Sequence, residues 1–122
     1  MDAKKVQAAF NALAQPTRLK AFRRLVAAHP EGLPAGDIAH HCKVPHNTMS
    51  THLASLTRGG LIAVSRQGRT MNYRADLEGL RGMIEFLMRD CCGGRPEICT
   101  PLIGDLQQSC CSPVKRAGGS HG

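Results

Sequence analysis

The hydrophobic period of this chain changes abruptly at Gly59-Gly60, and the change frames everything around it. Upstream, "NTMSTHLASLTRGG" sets Met49, Leu53 and Leu56 at spacings of four and three, one face of an α-helix. Gly59 and Gly60 stop that helix. Downstream, "LIAVSRQGRTMNYRA" alternates: Ile62, Val64 and Arg66 lie on one face, Ala63 and Ser65 on the other. "RQGR" is a turn and "TMNYRA" a return strand, so the segment is a β-hairpin. At the start of the helix His46 or Asn47 is placed to cap it, Asn47 being the better cap chemically.

Other helical stripes surround this helix-to-hairpin unit. In residues 4–14, Val6, Phe10 and Leu13 share a face. Pro16 suits the first turn of a second helix, "PTRLKAFRRLVAAH", whose apolar stripe is Leu19, Phe22, Leu25 and Val26. "HPEGLP" is a loop. Residues 34–42 form a short helix anchored by Ile38 and Ala39, and "KVPH" joins it tightly to the next. From Asp76 a last helix carries Leu77, Leu80, Ile84, Leu87, Met88 and Cys91 on one stripe, ended by Gly93, Gly94 and Pro96. With 42% hydrophobic but only 3% aromatic residues, the core is aliphatic and light, which leaves room for completion by a partner subunit.

A formal charge of +7 calls for an anionic partner. No apolar run approaches the ~20 residues that span a bilayer. The amino terminus lacks a signal-peptide pattern, so the expected location is cytoplasmic, with no membrane partner. The charge is also placed. Between Asp37 and Asp76 there is no acidic residue, while Lys43, Arg58, Arg66, Arg69 and Arg74 fall in that interval. A two-helix unit followed by a basic hairpin is the order of a winged helix-turn-helix. Its second helix enters the major groove of double-stranded DNA. The expected contacts are His46, Asn47, Thr48, Ser50, Thr51, His52, Ser55 and Arg58 from that helix, with Arg66 and Arg69 flanking the hairpin turn, where they reach phosphates or a minor groove. No Ser/His/Asp set, phosphate loop or catalytic metal motif marks an enzyme, and no organic cofactor is called for.

"NTMSTHLASLTRGGLI" followed by "RQGRTMNY", with "ALAQPTRLKAFRRL" ahead of them, resembles the ArsR/SmtB metalloregulators over about residues 4–90. The resemblance implies a mainly α (α+β) winged helix-turn-helix with a two-stranded wing. It also implies a homodimer formed through the first and last helices, and release of operator DNA when a soft metal or metalloid binds. Two effector sites common in that family do not match. "LPAGDI" holds no sulfur where one site has Cys-x-Cys, and residues 76–90 hold no histidine for a zinc site on the last helix.

Six cysteines remain to be explained, in a compartment where thiols stay reduced. Cys91, Cys92 and Cys99 lie within nine residues, around a Gly-Gly-x-Pro bend. Three soft thiolates suit trivalent arsenic or antimony, which prefers a sulfur pyramid to the tetrahedron of zinc. At a fraying helix end, glycines permit the reversal and Pro96 fixes it, so Cys99 can fold back on the adjacent pair. "CCGGRPEIC" also resembles the carboxy-terminal signature of one subgroup of arsenical-responsive repressors, which implies As(III) or Sb(III) on these three residues. Cys110 and Cys111 repeat the pair as secondary candidates, and Cys42 reads as core.

The expected organisation is therefore 1–92 for DNA binding and dimerisation, 93–112 as a cysteine-rich effector segment, and 113–122 as a disordered tail. Two rival readings use the same thiols: a redox-sensing regulator pairing Cys91 or Cys92 with Cys99, and a metal-buffering protein without gene control.

Overall fold

A computed structural model describes residues 2–90, 95, 97–98, 100–102 and 104–105. The chain divides into two compact units, Met1–Phe86 and Leu87–Gly122. In the first unit the elements run α1 (Ala3–Leu13), α2 (Pro16–Ala27), β1 (Leu33–Pro34), α3 (Ala35–Cys42), α4 (His46–Arg58), β2 (Ile62–Gln67), β3 (Thr70–Ala75) and α5 (Leu77–Glu85). A π-helical turn, Phe86–Asp90, follows α5, where the stripe predicts an unbroken α-helix.

Local chemistry sets most of these boundaries. Asp2 caps α1 by accepting from the Lys5 amide at 2.9 Å, and Gln15 caps α2 by accepting from the Arg18 amide at 2.8 Å. Pro16 occupies the first turn of α2, as its missing N–H allows. Asp76 caps α5 by accepting from the Gly79 amide at 3.1 Å. The cap of α4 is Pro45, not Asn47, and no side chain bonds there. Asn47 is left in the first turn with its side chain in solvent.

The expected two-stranded wing is the hairpin β2–β3, and β1 adds a third strand to its sheet. Its order is β1-β3-β2, and both pairings are antiparallel. Leu33 and Pro34, read as loop, pair with Tyr73 and Asn72. The link is made by Asn72, buried, whose Nδ2 donates to the Glu31 carbonyl at 2.8 Å. Gly32 turns the loop at φ +80°, and a Cβ there would collide with the backbone of β3. No local pattern in a two-residue strand announces such pairing.

The core is Leu25, Ile38, Met49, Leu53, Leu56 and Leu61, fully buried, ringed by Val6, Phe22, Ile62 and Met83. On α1 the buried face is Val6, Ala9 and Ala12, while Phe10 turns outward at 41% exposure. The reason is close packing against the end of α4. A Cβ on Gly59 would lie 3.2 Å from both the Ala12 Cβ and the Ala8 carbonyl oxygen, so only small residues fit that contact. Leu19, Val26, Leu77 and Ile84, all on the apolar stripes, are likewise exposed.

In the second unit, helical backbone is found at residues 97–98, 100–102 and 104–105, and Arg95 pairs with Glu97 at 3.8 Å on the surface. No described helix is long and apolar enough to cross a membrane.

Candidate nucleic-acid interface and thiol segment

The helix-turn-helix is α3, a tight turn and α4. Lys43 makes the turn in the left-handed region, φ 59°. Its amide and that of Val44 donate to the His40 and Ala39 carbonyls at 3.2 and 3.1 Å, which closes the end of α3. Cys42 is buried at this corner, and burial pushes its thiol up against an opposing pull from Lys20. That is the behaviour of a core residue.

Met49, Leu53 and Leu56 pin one face of α4 into the core. At 100° per residue, Asn47, Thr51 and Arg58 then lie on the opposite face, and all three are exposed. His46, Thr48 and Ser50 are exposed beside them. His52 and Ser55 differ: both are half-buried on the flank. The Nδ1 atom of His52 is buried without a hydrogen-bond partner, so that edge of the ring faces protein.

Two hydroxyls on the outward face are already committed. Ser50 Oγ donates to the His46 carbonyl at 3.1 Å, and Thr51 Oγ1 to the Asn47 carbonyl at 3.3 Å. With their protons so used, these oxygens present lone pairs outward. That polarity matches the amino groups of adenine and cytosine in a major groove. Because Pro45 supplies no side-chain cap, the first amides of α4 also lack an intrahelical partner, an arrangement suited to phosphate oxygens.

The wing turns at Gly68 and Arg69, flanked by the Gln67–Thr70 pair. Gly68 has φ +64° and Arg69 does not share that sign, the pattern of a two-residue hairpin turn with glycine first. Arg66 folds over the turn, its Nε donating to the Gly68 carbonyl at 3.2 Å. Arg66, Arg69 and Arg74 are exposed, and none forms an ion pair among the described residues. Wing and helix face one another across a cleft of about 380 Å³, into which His46 and Ser50 project from α4, and Arg69, Thr70 and Tyr73 from β3 and its turn. The structure thus brings His46, Ser50 and Arg69 together. It adds Thr70 and Tyr73, which sequence reading passed over. Strand alternation alone does not find both, since residues three apart on β3 point to opposite faces; Tyr73 shares its face with Met71, which also lines the cleft, while Thr70 sits at the turn.

Cys91, Cys92, Cys99, Cys110 and Cys111 lie outside the described residues. Among the described residues no three of His, Cys, Asp and Glu gather as a metal site.

A helix-turn-helix domain family matches residues 13–65. No curated protein matches the chain. Among solved structures, an ArsR-like transcriptional regulator from Rhodococcus sp. RHA1 superposes with a TM-score of 0.65 at 21% identity, over 88% of this chain and 93% of that one. The homodimeric winged helix-turn-helix domain of a possible ArsR-family regulator from Mycobacterium bovis gives 0.57 at 28% identity, over 66% and 73%. A possible transcriptional regulator for arsenical resistance gives 0.56 at 28% identity, over 63% and 77%.

Proposed function

We propose that this chain, which carries the winged helix-turn-helix DNA-binding fold of ArsR-family transcriptional regulators, is a homodimeric repressor that releases operator DNA when trivalent arsenic or antimony binds its carboxy-terminal thiolates. The observation that carries the DNA half is the outward face of α4. Asn47, Ser50 and Thr51 stand there beside a wing whose arginines form no ion pair among the described residues, with no carboxylate between Asp37 and Asp76. Hydrogen-bonding groups of this kind read base edges, and arginines of this kind hold the backbone.

The homodimer reading draws support from the Mycobacterium bovis relative, which is homodimeric, and from exposed Phe10 on α1 with Leu77 and Ile84 on α5. The effector reading rests on three thiols within nine residues and on the likeness to a possible regulator for arsenical resistance. Cys91, Cys92 and Cys99 would hold the metalloid, with Cys110 and Cys111 as the reserve pair. Each thiol proton joins a hydroxide of arsenous acid, so three As–S bonds replace three As–O bonds and three waters leave. Release of DNA is then a coupling free energy between the two sites, and DNA must weaken arsenite binding by the same factor.

The test takes an operator selected from random duplexes and titrates the complex with arsenite, antimonite and zinc while following fluorescence anisotropy. Dissociation by the first two, lost in Cys92→Ser and Cys99→Ser proteins that still bind DNA, supports the reading. Release by an oxidant without metalloid would replace it with thiol redox sensing.

A further inference from the structure

A second cationic site lies apart from the wing. A cleft of about 270 Å³ opens where α1, α2 and the carboxy-terminal end of α4 meet, lined among others by Ala8, Asn11, Arg18, Ser55 and Arg58. Gly59 makes the cleft by letting α4 close on the alanines of α1. Arg18 is held rigidly: its Nε donates to the Ala12 carbonyl at 2.7 Å, and a terminal nitrogen reaches the Asn11 carbonyl at 3.4 Å. Arg58 donates one terminal nitrogen to Ser55 Oγ at 3.2 Å. No carboxylate lines the cleft, and neither arginine has an ion pair among the described residues.

The ordinary explanation of two such arginines is that they neutralise helix ends. The charges decide against that as a full account. Helices α1 and α4 both terminate here, and each contributes roughly −0.5 of an elementary charge. Two guanidiniums therefore leave about +1 uncompensated. Their donors are uncompensated too, since each fork has N–H groups beyond those named. The volume falls below the roughly 300–1,000 Å³ of pockets for organic ligands, but it accommodates a tetrahedral oxyanion.

We infer that Arg18 and Arg58 form a second anion site that takes one phosphate-type oxyanion. Two sources share this chemistry: free inorganic phosphate, and a backbone phosphate of bound DNA. Only the DNA arm of the test rests on the operator reading, and none of it rests on the thiols.

The experiment compares wild-type protein, Arg58→Ala and Ala8→Glu. Ala8 is exposed at the rim, and glutamate there supplies an internal carboxylate while retaining helix propensity. Thermal unfolding is followed in sodium phosphate and in sodium chloride of matched ionic strength. At ten times its dissociation constant, phosphate shifts the folding equilibrium about elevenfold, so the wild-type midpoint rises by more than those of both variants, which show only the general salting-out rise. The same proteins are then titrated onto DNA at several salt concentrations. If a backbone phosphate is the occupant, Ala8→Glu lowers the salt slope by about one per protomer. If the slope is unchanged while the phosphate effect is present, the occupant is free oxyanion. An equal phosphate effect in all three proteins, or neither effect in any, overturns the site.

Discussion

Arg69→Ala is the most direct test of the interface, because the structure fixes what the arginine does when DNA is absent. It stands at the tip of the wing and faces His46 and Ser50 across the cleft, with no ion pair among the described residues. Removing it breaks no fold contact of consequence, so its effect is read in DNA binding alone. Each phosphate contact contributes about 0.9 to the slope of log affinity against log salt. A homodimer carries two wings, so the variant's slope is shallower by about 1.8. Between 50 and 200 mM salt, a fourfold range, the ratio of wild-type to variant affinity then shrinks about twelvefold. Anisotropy titrations at four or five salt concentrations measure the ratio, on the selected operator and on a scrambled duplex. The same shrinkage is expected on both, since a phosphate carries no sequence. A ratio that stays constant with salt would show that Arg69 meets no phosphate. A ratio that differs between the duplexes would make it a reader of bases.

Thr51→Val keeps the shape of the side chain and removes the outward lone pairs, so it costs about 1 kcal/mol or more on the operator and little on random DNA; equal losses would give Thr51 a positioning role only. Cys99→Ser abolishes arsenite-driven release without changing apo binding, measured by anisotropy, whereas truncation after residue 105 preserves release. Loss of the response on truncation would move a ligand to Cys110 or Cys111. Gly79→Ala drives a Cβ into the Gly60 carbonyl at the start of α5; overpacking of this kind costs about 1–3 kcal/mol, seen as a lower unfolding midpoint, and an unchanged midpoint would show that α5 shifts freely. Asn72→Ala removes the bond to the Glu31 carbonyl and costs about 1 kcal/mol by the same measurement, with the amide of Leu33, the one N–H in β1, losing protection from exchange.

The legible parts of this chain are those written in periodicity. Met49, Leu53 and Leu56 give α4 its inward face, and Ile62 through Arg66 give the hairpin, because burial and backbone period act on the same few residues. Proline and glycine signals were legible for a similar reason: Pro16 and Gly68 satisfy backbone demands that are purely local. What was not legible is long-range. β1 is two residues that form a strand only by pairing with Tyr73 and Asn72 of β3, with the Asn72 side chain also bonding Glu31 across 41 positions of sequence. The Pro45 cap is a matter of how the turn from Lys43 delivers the chain, which outweighs the better hydrogen-bonding chemistry of Asn47.

The apolar stripes make the more instructive case. A stripe says that a side chain seeks cover, but it does not say which body supplies the cover. In one chain, alanines and Gly59 satisfy the inner side of α1, and Phe10 is left at the surface with Leu77 and Ile84. Phe10, Leu77 and Ile84 belong to the two helices that the family resemblance assigns to the subunit contact. Burying one such side chain is worth about 1.5–3 kcal/mol, and a twofold contact counts each residue twice. Substituting Phe10 and Ile84 together by serine therefore removes four apolar side chains from one interface while leaving the monomer core of Leu25, Ile38 and Leu53 intact. The expected result in sedimentation is a folded monomer at concentrations where wild type is dimeric, with operator affinity falling toward that of a single half-site. A double variant that remains dimeric would place the subunit contact elsewhere, with exposed Leu19 and Val26 on α2 as the next face to test.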